Sequence, residues 1–173
     1  RNPLAELAEV IVGCVDARTG EVKIPGFYDD VEPPSEEEKR GYVDSGFSVE
    51  GFREALGLLS LRSSDPAEVT QRIWARPTFE VHGISGGYQG EGIKTAIPPR
   101  GEVKVSMRLV PRQDPEKVQA LLAKHVETLC PDAVVEPLPG LRPYRGDLDD
   151  AYQRAARAAF REVYGVEPAL VRE

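Results

Sequence analysis

The sequence predicts an α+β fold, and three observations carry that reading. Helix-start chemistry recurs at Asn2-Pro3, Asp65-Pro66 and Asp114-Pro115. In each, a capping side chain precedes a proline whose fixed φ suits the first helical position. Residues 102–110 alternate, with Val103, Val105, Met107 and Leu109 on one face and Lys104, Ser106 and Arg108 on the other. That is the period of a strand with one face buried. Between this stretch and a second strand-like one lie Gly83, Gly86, Gly87, Gly90 and Gly92, a turn with unusual dihedrals.

The elements follow in order. Leu4, Leu7, Ala8, Val10, Ile11, Cys14 and Val15 recur at three and four, so residues 2–15 form a helix with one apolar face. A short strand is expected at 22–24, before Pro25-Gly26. Ser35 followed by Glu36, Glu37 and Glu38 is a capped helix start with acids in its first turn. A short helix covers 48–59, and another runs from Asp65-Pro66 to about Trp74. Gly41, Gly46, Gly51 and Gly57 weaken propensity here, so residues of about 18–75 read as an insertion on the main body. Residues 78–84 form a strand, with Phe79 and Val81 facing one way and Glu80 and His82 the other. Residues 93–97 are short and apolar, ending at Pro98-Pro99. Asp114-Pro115 opens a helix to about Cys130 whose stripe is Val118, Leu121, Leu122, His125, Val126 and Leu129. Residues 133–138 supply a last strand.

One further strand ahead of residue 1 would complete βαββαβ, the ferredoxin-like two-layer sandwich, an antiparallel sheet with two helices on one face. The chain opens at Arg1 rather than Met, so a piece of a longer polypeptide is expected. The predicted division is a main domain over 1–138, lacking its first strand, followed by 139–173. That second part holds a linker (139–145) and an Ala-rich helix (147–164) ended by Gly165.

The chain has 173 residues, enough to bury about 70 % of its extended surface. With 29 acidic and 22 basic side chains its formal charge is -7, which argues against nucleic acid, since phosphate-backbone binding needs clustered cations. No apolar run approaches the roughly 18 residues of a membrane span. Two distant cysteines make no disulfide framework, which fits a reducing, cytoplasmic setting.

The absences narrow the chemistry. His82 and His125 are the only histidines and share no metal-ligand spacing, so no metal site is assigned to this chain. Cys14 and Cys130 fall on apolar helical stripes, where thiols are buried and inert. His125 lies on such a stripe too and reads as a core or interface histidine, while His82 stays open. The glycine run lacks the Lys-Ser or Lys-Thr spacing of a phosphate loop. Two residues stand out. Arg108, in mid-strand opposite the apolar row, presents a planar fork suited to a carboxylate, or else forms a solvated salt bridge. Thr95, where the glycine-rich turn ends, offers a hydroxyl to a ligand or is simply a β-branched strand residue.

A resemblance enters here. Gly90-x-Gly92-x-Lys94-Thr95-x-Ile97-Pro98, followed by Ser106-Met107-Arg108-Leu109-Val110-Pro111, resembles the inserted lid and dimerisation domain of M20-family metallopeptidases, in their carnosinase-like dipeptidase branch. Asn2-Pro3, the stretch from Pro25 to Val31, and Phe160 to Glu173 with Gly165-Val166-Glu167-Pro168 are similar to matching parts of that branch. The resemblance implies a homodimeric two-domain hydrolase with two divalent metal ions, zinc or manganese, acting on short peptides. It implies that Arg108 binds the substrate's C-terminal carboxylate and that Thr95 reaches the active site of the other subunit. The metal ligands and the general base of that family flank this domain, so no catalytic residue is assigned here and the chain alone is expected to be inactive. Two alternatives stand beside this reading: an N-acyl amino acid amidohydrolase of the same superfamily, and a stand-alone ferredoxin-like dimerisation or binding module.

Overall fold

A computed structural model describes residues 1–147 and 150–172. Its elements are α1 (Pro3–Cys14), α2 (Glu36–Asp44), α3 (Val49–Ala55), α4 (Pro66–Trp74), β1 (Glu80–Gly86), β2 (Gly101–Ser106), α5 (Pro115–Leu129) and α6 (Ala151–Tyr164). The chain divides into two compact units, Arg1–Val31 with Pro77–Pro143, and Glu32–Arg76 with the chain from Tyr144 onward.

In the first unit, Asn2 and Asp114 cap α1 and α5 as their sequences require. The Leu4 N–H donates to Asn2 Oδ1, and the Glu116 and Lys117 N–H groups donate to Asp114 Oδ1. The two helices touch at Gly13, where a Cβ would lie 2.4 Å from a Leu129 methyl. Val10, Cys14, Val22, Ile24, Phe27, Phe79, Val118, Leu122, Val126 and Cys130 form the core, with Val105, Met107 and Leu109 packed against it. The apolar row of the 102–110 stretch therefore faces the helices.

β1 and β2 pair antiparallel, Glu80 opposite Ser106 and Gly86 opposite Gly101. The register shifts between Val81 and Gly83, so His82 is the extra residue of a β-bulge. Beyond it the parity changes: Ile84, not Gly83, stands opposite Val103 on the apolar side. At the turn end, a Cβ on Gly101 would lie 2.7 Å from a Leu7 methyl, so glycine lets α1 approach the hairpin.

The α+β class holds, but the strand count does not reach the expectation. Among the described residues the sheet has two strands. Residues 22–24 contribute one bridge, Val22 to Val15, and 93–97 and 133–138 form no strand. A strand is stable only when a neighbour takes its backbone N–H and C=O groups. In a ferredoxin-like sheet the last strand pairs with the first, and no described segment fills that place. Val135 still packs on the core, and the Leu138 carbonyl accepts from Gln119 Nε2 at 2.7 Å.

The second unit is helical. α2 starts with a full capping box: Glu38 N–H donates to Ser35 Oγ, and Ser35 N–H to Glu38 Oε2. Tyr42, Phe47, Phe52 and Trp74 pack as an aromatic cluster. The Ala-rich helix begins later than predicted, with Asp150 as its cap, and Gly165 ends it at φ +70°. Leu148 and Asp149, at the predicted start of that helix, and Glu173 lie outside the described residues.

Candidate functional site

The polar face of the hairpin is laid out by register. Glu80 stands opposite Ser106, and the Thr78 N–H donates to the Arg108 carbonyl at 3.0 Å, carrying the pairing two residues past the end of β2. Lys104, Ser106 and Arg108 are exposed, while Val103, Val105, Met107 and Leu109 between them are half-buried. His82 shares a 2.6 Å hydrogen bond with Ser106 Oγ, which holds the bulge against β2.

The Arg108 side chain is solvent-exposed, and among the described residues its guanidinium makes no hydrogen bond or ion pair. Glu80, on the same face, does not pair with it. Most other arginines are engaged: Arg53 with Glu50, Arg72 with Glu68, Arg157 and Arg161 with Glu167. A cation held on a paired backbone with its fork in water can accept a carboxylate without first breaking an internal contact.

Thr95 sits in the exposed segment 87–97 that joins β1 to β2, and its hydroxyl has no partner among the described residues. Arg108, expected in mid-strand, thus lies two residues past the end of β2, and Thr95 lies in the connection of the same hairpin, both open to solvent.

The second histidine and the two cysteines are bonded or buried. His125 Nε2 donates to the Gly13 carbonyl at 3.0 Å, covering an orphan acceptor at the C-terminal end of α1. Cys14 is fully buried, and burial pushes its thiol up to about 11. Cys130 is also raised by burial, and its Sγ donates to Glu6 Oε2 at 3.3 Å. Neither cysteine has the electropositive, accessible setting of a nucleophile. Among the described residues no group of three or more His, Cys, Asp or Glu side chains is placed to hold a metal, so they do not fit a metal pair.

A cluster that spacing alone did not reveal lies in the second unit. Arg172, with a side chain 10 % exposed, sets Nε and Nη2 on the two oxygens of Glu38 at 2.9 and 2.8 Å. Arg145 Nη2 approaches the same carboxylate at 3.2 Å. The Ser-x-x-Glu cap marked Glu38 locally, but its cations come from more than a hundred residues away.

Residues 1–134 match the family described as peptidase dimerisation domain, the M20 dimerisation family. The human Beta-Ala-His dipeptidase is 32 % identical over 99 % of this chain and 35 % of its own length. The Cys-Gly metallodipeptidase DUG1 of Saccharomyces cerevisiae is 33 % identical over 99 % of this chain and 37 % of its own. Among solved structures, an M20 family metallo-carboxypeptidase, Sso-CP2 from Sulfolobus solfataricus, superposes with a TM-score of 0.91 at 35 % identity, over 100 % of this chain and 45 % of that one. Human carnosine dipeptidase 1 gives a TM-score of 0.83 at 31 % identity, covering 100 % and 38 %. The chain spans about a third of the length of the curated relatives it matches. These relatives are peptidases, which weighs against the amidohydrolase and stand-alone alternatives. The chain belongs to the M20 peptidase dimerisation domain family.

Proposed function

We propose that this chain is the dimerisation and substrate-capping part of a homodimeric M20 dipeptidase that hydrolyses short peptides. In this reading, residues 1–138 form the lid, with an insertion over about 18–75, and 139–173 lead to the catalytic part. A strand from ahead of residue 1 completes a four-stranded ferredoxin-like sheet by filling the place beside 133–138. The single observation that carries the proposal is the exposed Arg108 guanidinium, unpaired among the described residues on a backbone-paired strand end.

The chemistry of this chain is recognition and orientation. Arg108 takes the substrate's C-terminal carboxylate in a two-point, charge-assisted grip. A free carboxylate fixed at one place limits cleavage to the bond near that end, which selects exopeptidase over endopeptidase action. Thr95 brings its hydroxyl to the active site of the other subunit, so closure of the dimeric lid completes the site and excludes water. A pair of divalent metals, zinc or manganese, belongs in this reading to the rest of the enzyme, as the described residues hold no set of ligands for it. We place the enzyme in the cytoplasm. Among the described residues, no helix is long and apolar enough to cross a membrane.

The test is Arg108→Ala in the full-length protein with a dipeptide substrate. KM rises at least tenfold, equivalent to the roughly 1.5–3 kcal/mol of a charged hydrogen bond. Unchanged KM and kcat overturn the assignment.

A further inference from the structure

Thr95 lies in a connection with no buried side chain of its own: every residue from 87 to 97 is exposed, Ile93 to 94 % and Ile97 to 68 %. Such a segment needs internal contacts to hold one shape, and its contacts converge on Tyr88. Its hydroxyl donates to the Glu91 carbonyl at 3.0 Å. Lys94, the neighbour of Thr95, sets its ammonium over the Tyr88 ring, 5.9 Å from the centroid. Gly90 passes so close that a Cβ there would lie 2.5 Å from the Tyr88 hydroxyl and 2.6 Å from the ring carbon that bears it. Gly87 and Gly92, at φ +71° and +82°, provide the left-handed turns on either side, and Gln89 Nε2 donates back to the Gly86 carbonyl at 2.9 Å.

We infer that Tyr88 is a positioning residue for Thr95: its ring and hydroxyl are the scaffold on which the 87–97 connection folds, and they set where the Thr95 hydroxyl is presented. The inference rests on the role given to Thr95 above and extends it. Tyr88 touches no reacting atom. It acts through Glu91, Gly90 and Lys94, which bracket the turn leading into Thr95. A positioning group displaced by about 1 Å can cost up to about 100-fold in rate.

The test is a coupling measurement in the full-length enzyme, reading kcat/KM for a dipeptide in the wild type, Thr95→Ala, Tyr88→Ala, Tyr88→Phe and the Tyr88→Ala/Thr95→Ala double variant. Tyr88→Ala lowers kcat/KM by nearly as much as Thr95→Ala, and the double variant is no worse than Thr95→Ala alone. Tyr88→Phe keeps the ring under Lys94 and loses the Glu91 bond, so it recovers most of the activity. Thermal midpoints stay at the wild-type value. Gly90→Ala, which intrudes on the ring, reproduces Tyr88→Ala by a separate route. Losses from Tyr88→Ala and Thr95→Ala that multiply in the double variant overturn the inference while leaving the role of Thr95 intact. A Thr95→Ala enzyme with wild-type kinetics overturns the role of Thr95 itself and the inference with it.

Discussion

Gln113 is the least exposed polar amide near the candidate site, at 4 % exposure, and both ends of its side chain are used. Its Oε1 accepts from the Val110 N–H at 3.0 Å, and its Nε2 donates to the Phe27 carbonyl at 2.8 Å. The Gln113 N–H also closes a turn onto the Val110 carbonyl, at 3.1 Å, beside Arg112 at φ +76°. One side chain thus joins the strand end carrying Arg108 to the backbone of buried Phe27. Gln113→Ala leaves one buried N–H and one buried C=O without their protein partners. At about 1–3 kcal/mol for each orphaned group, the loss is about 2–6 kcal/mol. Water entering the vacated space reduces this, so about 2–4 kcal/mol is expected, a large share of the 5–15 kcal/mol typical of a whole domain. The assay is urea unfolding followed by far-UV circular dichroism. With m of about 2 kcal/mol/M, the middle of the range for small proteins, the midpoint falls by about 1–2 M at unchanged m. Gln113→Met keeps the volume and removes the bonds, so it matches the alanine variant. A loss below about 0.5 kcal/mol, or full rescue by Met, refutes the reasoning.

Two further predictions concern ionisation. Burial raises the Glu38 pKa, but the Ser35 N–H, Arg172 and Arg145 outweigh it and hold the carboxyl below its ordinary 4.5. A depressed pKa contributes stability above the unfolded value, lost as pH falls through the folded one. Unfolding midpoints of the wild type should therefore fall with acidification below about pH 4.5 more steeply than those of Glu38→Gln, which is weaker by about 1.5–3 kcal/mol at pH 7. Parallel acid limbs for the two proteins count against this. For Cys14, burial pushes the thiol up to about 11 from 9.0, so its contribution is full below pH 9 and is lost as pH rises through about 11. At pH 8 a thiol reagent should label neither cysteine in the native protein and both in urea, and rapid native labelling contradicts the assigned burial.

The parts of the fold visible in the sequence are those decided locally. Asn2-Pro3, Ser35-x-x-Glu38, Asp65-Pro66 and Asp114-Pro115 announced four helices, because a cap needs only residues within one turn of itself. The alternation from Val103 to Leu109 located the buried face for the same reason. Strands at 22–24 and 133–138 were overestimated because apolar character does not supply a ladder partner. The bulge at His82 was invisible, since it depends on which residue of β2 stands opposite. Of the site, Arg108 and Thr95 could be singled out from pattern and resemblance. The contacts around Tyr88 and the Glu38–Arg172–Arg145 cluster could not, because they arise only once the backbone has folded.

The most direct measurement compares kcat/KM for a dipeptide and for its C-terminal amide, in the full-length wild type and in Arg108→Ala. The wild type should strongly favour the free acid, and Arg108→Ala should lose that preference, acting on acid and amide at nearly equal, low rates. An Arg108→Ala enzyme that still prefers the acid by the wild-type ratio would mean that another group reads the carboxylate, contradicting the account.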